Sequence, residues 1–266
     1  MSFLNVERDG AILLVTLNRP EERNAIGSRA DCEELIAVAQ QANNDASLRA
    51  LILTGSGSAF CAGGNIKRML DKSSFTRGAS ALDTQDNYRR GIQSMASAWW
   101  DMEIPTIAAV NGHAIGLGCD LACMCDLRIA ADTAQFAESF VKVGLIPGDG
   151  GAWFLPRVVG FAKAAEMIFT GDMLDAQTAL AAGLVSRVVP AATLLAEARS
   201  LAQRIAANPP RTMRLAKRLL RQSQNLRLPD ILDMSAAFQA LVQESDDHAE
   251  AIDAALKKRP PVYHGK

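Results

Sequence analysis

The sequence predicts an α/β fold, and three observations predict it. Residues 50–54 (Ala-Leu-Ile-Leu-Thr) and Thr106–Val110 are short apolar runs without polar alternation, the pattern of strands buried on both faces. Each run leads into a glycine-rich turn and then a helix-like stretch, the order of a layered α/β domain. After about Val189 the pattern is helical alone.

The elements follow in order. Residues 3–7 and 11–17 flank Arg8-Asp9-Gly10, whose Asp-Gly chemistry suits a hairpin turn. Residues 18–24 form a polar loop. Ser28, with Asp31 three positions on, caps a helix expected to run to about Asn43. The strand at 50–54 stops at Gly55-Ser56-Gly57-Ser58. Residues 72–84 are polar and aperiodic and read as a mobile loop, and a helix is expected over 88–102. After the Thr106–Val110 strand come a second glycine-rich turn, a helix and a strand at 127–130. The helical stretches expected beyond are 194–207, 210–224 and 229–258. Residues 1–190 are therefore assigned to a core and 191–266 to a helical region that packs on it or on another subunit.

Composition narrows the function. With 28 basic and 29 acidic residues the net charge is −1, which gives no basic surface for nucleic acid or anionic membrane. No run approaches the roughly 18 apolar residues of a membrane span, and the first residues lack a basic stretch followed by an apolar one. The five cysteines (Cys32, Cys61, Cys119, Cys123, Cys125) form no CxxC pair and have no nearby histidine, so they read as small buried thiols and not as metal ligands. A reducing, cytoplasmic setting fits this usage.

Two turns carry the chemistry. The first is Ala59-Phe60-Cys61-Ala62-Gly63-Gly64-Asn65-Ile66-Lys67; the second runs from Asn111-Gly112-His113 through Gly116-Leu117-Gly118-Cys119-Asp120. In a strand–turn–helix unit, backbone N–H groups are free at the helix start, and glycine lets the chain approach a ligand. Gly55-Ser56-Gly57 invites a dinucleotide reading, but Phe60 stands where the third glycine belongs; no GxxxxGK[ST] and no GxSxG occurs. Either turn alone is equally a packing device. Together, feeding one carbonyl oxygen, they would make an oxyanion hole.

Residues 60–66 resemble the first signature of the crotonase (enoyl-CoA hydratase/isomerase) superfamily, and residues 111–121 with Cys125-Asp126 resemble its second. The likeness extends through Leu17-Asn18-Arg19-Pro20, Gly144-Leu145-Ile146-Pro147-Gly148 and Ala182-Gly183-Leu184-Val185 to Lys258-Arg259-Pro260-Pro261. The resemblance implies a spiral of ββα units with a C-terminal helical region that builds homotrimers, often paired into hexamers. It implies an acyl-CoA thioester substrate, with no cofactor beyond the coenzyme A that the substrate brings. By position, the oxyanion donors fall on Gly64 and Leu117, and Ala62, Asn65, Ile66 and Lys67 lie where the family's chain passes coenzyme A; a solvated surface lysine is the other reading of Lys67.

The acid/base set departs from the family's hydratases. Their first glutamate falls on Asp120, which is equally a first-turn aspartate complementing the helix dipole. Their second aligns with Phe140, whose phenyl ring transfers no proton, so simple hydration loses half of its machinery. Asp149 is the replacement to weigh: some family isomerases and a dehalogenase carry an active aspartate one position earlier, at Gly148, yet Asp149 also suits a helix cap. Glu138, two residues before Phe140, has the strand parity to face the same way. The expected chemistry is enolate formation with double-bond isomerisation or hydration on Asp120 and Asp149. Hydrolysis, carbon–carbon cleavage, or a silent CoA-binding protein are the alternatives.

Overall fold

The computed structural model describes residues 2–266. The chain opens with β1 (Leu4–Asp9) and β2 (Ile12–Leu17), paired antiparallel as expected for the Asp-Gly hairpin. Helix α1 (Arg29–Asn44) starts in the predicted capping box: Ser28 accepts from Asp31 N–H, and Asp31 accepts from Ser28 N–H at 3.0 Å. Then come β3 (Ala50–Gly55), β4 (Ala59–Cys61), the short α2 (Ile66–Leu70), α3 (Ala81–Tyr88) and α4 (Ser94–Trp100). One π-helical turn, Arg89–Gln93, joins α3 to α4.

This corrects one expectation. The helix thought to begin at 88 begins at Ala81, inside the stretch read as loop, because Ser80 and Asp83 form a second capping box. The middle of the chain continues with β5 (Thr106–Val110), β6 (His113–Ile115), α5 (Leu117–Met124), β7 (Leu127–Ala131) and β8 (Gln135–Ala137). A 3-10 turn (Ser139–Val143), α6 (Gly151–Val159), α7 (Phe161–Thr170), β9 (Leu174–Asp175), α8 (Ala176–Ala181) and β10 (Arg187–Val189) follow.

Two sheets organise these pieces. The larger has the order β1-β2-β3-β5-β7-β10 and is parallel from β2 onward; the smaller has the order β4-β6-β8-β9. Each turn of the chain lays one strand in the large sheet (β3, β5, β7), the next in the small one (β4, β6, β8), and then a helix. This is the expected ββα spiral. The wholly buried β3 and β5 explain the apolar runs without alternation.

The tail holds α9 (Leu194–Ala206), α10 (Pro210–Gln222), α11 (Leu228–Gln243) and α12 (Asp246–Lys257). Helix α9 buries Leu194, Ala198 and Ala202 and packs on β3, β5 and β7, so the core layer runs past residue 190 and the helices standing off it begin at α10. The single helix expected over 229–258 is two, because Ser245 caps α12 and accepts from His248 N–H at 3.2 Å. Helix α10 is fastened by charge: Lys217 donates to the Ile104 carbonyl at 2.6 Å and pairs with Asp126 at 2.7 Å, and Arg221 pairs with Asp126 at 2.8 Å. Burial would raise Asp126, but these two cations hold it below the usual carboxylate range. All five cysteines are buried free thiols, and no helix among the described residues is long and apolar enough to cross a membrane.

Candidate active site

The first turn is held from behind by the polar N-terminal loop. Asn24 is buried, accepts from Arg19 N–H at 2.9 Å and donates to the Ala59 carbonyl at 2.8 Å. Ala62 N–H donates to Arg23 and Ile26 N–H donates to Gly63, at 3.0 and 2.9 Å. Asp31 anchors that loop through Arg19 (2.9 and 3.0 Å) and Gly27 N–H (2.8 Å). The loop's polar composition is thus a scaffold for the glycines.

The two turns then dock on each other. Gly63 has φ +81°, and a Cβ there would lie 2.6 Å from the Ile115 carbonyl oxygen. A Cβ at Gly118 would overlap the Cys61 carbonyl in the opposite direction. Only side-chain-free positions permit this mutual approach, which brings Gly64 and Leu117 to one cavity wall. Leu117 is the first residue of α5, so its N–H has no acceptor within the helix. Neither it nor Gly64 N–H donates to a backbone carbonyl in the turns and loops described. Two residues with unspent donors therefore line one space.

That cavity, about 40 Å³, is also lined by Asn65, Met69, Tyr88, Phe140, Leu145, Gly148 and Asp149. It shares Met69, Ser74, Thr76, Tyr88 and Leu145 with a larger cavity of about 680 Å³ nearer the surface. Ile66 lines the outer cavity; Lys67 is exposed, and Ala62 lines neither. Asn65 has a structural duty as well: its side chain caps α2 by accepting from Lys67 and Arg68 N–H.

Three carboxyl groups meet behind the cavity. Asp120, Glu138 and Asp149 are 0, 1 and 3% exposed. They arrive from the first turn of α5, the end of β8 and the turn before α6. Asp120 adjoins both of the others, and neither its oxygens nor those of Glu138 have a hydrogen-bond partner among the described residues. The pocket for its carboxyl is made by Gly151, where a Cβ would overlap both Asp120 oxygens. Burial first, and then the charges of Asp149 and Glu138, hold Asp120 well above the usual carboxylate range. Burial also raises Asp149, against hydrogen bonds from Asp120 and the backbone. Glu138 is pushed up to about 7, again mainly by burial.

Asp149 is the carboxyl of the three that lines the cavity. Helix α6 has Gly150 as its N-cap with no side-chain cap bond. Phe140 faces the same cavity, its ring packed toward Gly116 of the second turn. Strand parity alone had marked Glu138 in the sequence, and nothing there marked Tyr88. Tyr88 lines both cavities, and its hydroxyl is raised mainly by burial. A glutamate closing an apolar strand was the available signal for Glu138. Neither Trp99 nor Trp100 lines these two cavities: Trp99 is core and donates to the Leu35 carbonyl, while Trp100 packs edge-on to Trp153.

Two residues with unspent backbone donors and one carboxyl line the same cavity, and groups of these kinds can form and hold an enolate. The profile of the enoyl-CoA hydratase/isomerase family matches residues 7–266. A probable enoyl-CoA hydratase of Mycobacterium bovis is 38% identical over 258 residues, covering 97% of this chain and 96% of the relative. The 1,2-epoxyphenylacetyl-CoA isomerase of Escherichia coli is 34% identical over the full length of both chains. The crystal structure of an enoyl-CoA hydratase from Bacillus anthracis superposes with a TM-score of 0.92 at 34% identity, covering 99% of this chain and 100% of that one. The chain belongs to the enoyl-CoA hydratase/isomerase family.

Proposed function

We propose that this enzyme moves the double bond of an enoyl-CoA thioester by 1,3-proton transfer, with Asp149 as the acid/base group. The observation that carries this reading is the cavity wall itself: two free N–H donors, one carboxyl, and a phenyl ring where hydration needs a second carboxyl. The thioester oxygen accepts from Gly64 and Leu117 N–H. Asp149 takes the proton from C2 of a 3-enoyl ester, and the electrons pass into a dienolate stabilised by the two donors. Asp149 then returns the proton to C4, leaving a 2-enoyl ester with atoms and charge unchanged. Losing one such donor typically costs about 3 kcal/mol of barrier. Phe140 adds no base for water and keeps that side of the cavity apolar.

Hydration is the second reading, favoured by the hydratase relative and by the retained carboxyl at Asp120. Product analysis from a 3-enoyl-CoA ester separates the two. We expect the conjugated isomer as the main product, and a dominant 3-hydroxyacyl ester would overturn the assignment.

Ala62, Asn65, Ile66 and Lys67 are assigned to the coenzyme A side of the channel, supported by the position of Asn65 and Ile66 on the two cavities. Coenzyme A arrives with the substrate, and no further cofactor enters the scheme. Within residues 191–266, the helices beyond the core layer, α10 to α12, are assigned to subunit packing in a homotrimer or homohexamer. Exposed Leu228, Leu232 and Leu241 on α11, with Ile252 and Leu256 on α12, support this. A single-chain mass in solution would contradict it. The free thiols support a cytoplasmic setting.

A further inference from the structure

The acid/base scheme above leaves one buried group unused. Glu138 is 1% exposed, lies outside the cavity lining, and has both carboxyl oxygens unpartnered. Both Asp120 oxygens and Asp149 Oδ1 are likewise without a hydrogen-bond partner among the described residues. The groups that act on Glu138 are Asp120, Asp149 and the Cys119 thiol, a weak donor. No lysine, arginine or histidine is among the groups acting on any of the three. Neutralisation by a cation is therefore not how this cluster is satisfied.

Carboxylates only accept hydrogen bonds, so beyond the Cys119 thiol and the backbone N–H groups at Asp149 the remaining donors are the cluster's own protons. Asp120 touches both of the others, which makes the order linear: Glu138, Asp120, Asp149. Three carboxyls in a line are fully paired by two protons, each donated toward the next group. One negative charge is then left, and it belongs at the end that opens on the cavity, where Asp149 stands. Like charges in contact resist simultaneous ionisation, which favours this sharing over three separate carboxylates.

We propose that Glu138 is a positioning residue, the inner end of a proton-sharing chain in which Glu138 donates to Asp120 and Asp120 donates to Asp149. The chain keeps Asp120 protonated and fixes the single negative charge on the group that meets substrate. It also tempers Asp149: the donated hydrogen bond stabilises its charge and offsets part of the rise caused by burial. The raised values of Glu138 and Asp120 are consistent with two stored protons. The catalytic use of Asp149 rests on the isomerase reading; the proton inventory does not.

The test uses the intact enzyme, with Glu138→Gln and Glu138→Leu. Infrared spectra in light and heavy water count buried protonated carboxyls by their C=O stretch near pH 6. The chain predicts two in wild type and one in each variant; one in wild type, with no loss in Glu138→Gln, overturns it whatever the activity. The acid limb of kcat/KM supplies the second readout. Glu138→Gln still offers Asp120 an N–H donor and should leave the limb in place. Glu138→Leu offers none and should move the limb upward by about one pH unit, a tenfold loss on the acid side. Equal displacement in both variants, or none in either, contradicts the positioning role. If wild type holds two protons yet isomerises no enoyl ester, the chain stands and the functional reading falls.

Discussion

Gly151 shows how one missing side chain governs the chemistry. It is the first residue of α6, and the carboxyl of Asp120 occupies the volume its Cβ would need. Gly151→Ala would push that carboxyl off Asp149 or shift the helix start. Overpacking of this kind costs about 1–3 kcal/mol. We expect a lower denaturation midpoint and a loss of turnover larger than the loss of stability explains, checked by urea unfolding beside product assays. Wild-type turnover in Gly151→Ala would mean that Asp120 does not need its observed place. In the proposed isomerisation Phe140 and Asp149 exert the complementary control: one withholds a second carboxyl, the other supplies the first.

Helix α10 illustrates fastening by charge at the level of an element. Among its residues only Pro210 and Lys217 are buried, so apolar burial does little to hold it. Lys217 and Arg221 instead converge on Asp126, and Arg221 also lies 4.1 Å above the Trp100 ring. Removing one partner of a buried ion cluster leaves the others uncompensated, at a cost of about 3–5 kcal/mol. Asp126→Ala should therefore loosen α10 before the sheets, seen as faster amide exchange over Pro210–Gln222; unchanged exchange there would contradict it. The elements legible in the sequence were those with a local signature: the Asp-Gly hairpin, the Ser28–Asp31 box and the apolar β3 and β5. Helix α3 was missed because its Ser80–Asp83 box lies inside a polar stretch whose composition outweighed it. The two glycine turns were legible for the same local reason. The meeting of Asp120, Glu138 and Asp149 was not, because it depends on how α5, β8 and the turn before α6 pack in space.

For the whole molecule, the carboxyl cluster ties stability to pH in a defined direction. Asp120, Glu138 and Asp149 all bind protons more tightly folded than unfolded. A group with a raised folded pKa contributes stability that is complete below its unfolded value and is lost as pH rises through the folded one. For Glu138 that window runs from the ordinary glutamate range up to about 7. The Tm of Glu138→Gln relative to wild type should accordingly climb between about pH 5 and about pH 8. A constant difference would mean that Glu138 is not protonated by folding. The rest of the architecture holds this costly cluster: a two-sheet spiral places it, and the docked turns bring Gly64 and Leu117 to the cavity that Asp149 lines.

In the proposed reaction Asp149 carries the proton of the enolate-forming step. The most direct measurement is deuterium incorporation at the α and γ carbons of enoyl-CoA esters in heavy water, for wild type and Asp149→Asn. A positioned general base contributes about 10²–10⁴-fold. We predict exchange at both carbons in wild type and a fall of that order in the variant, with ester binding retained. Undiminished exchange in Asp149→Asn would contradict the account.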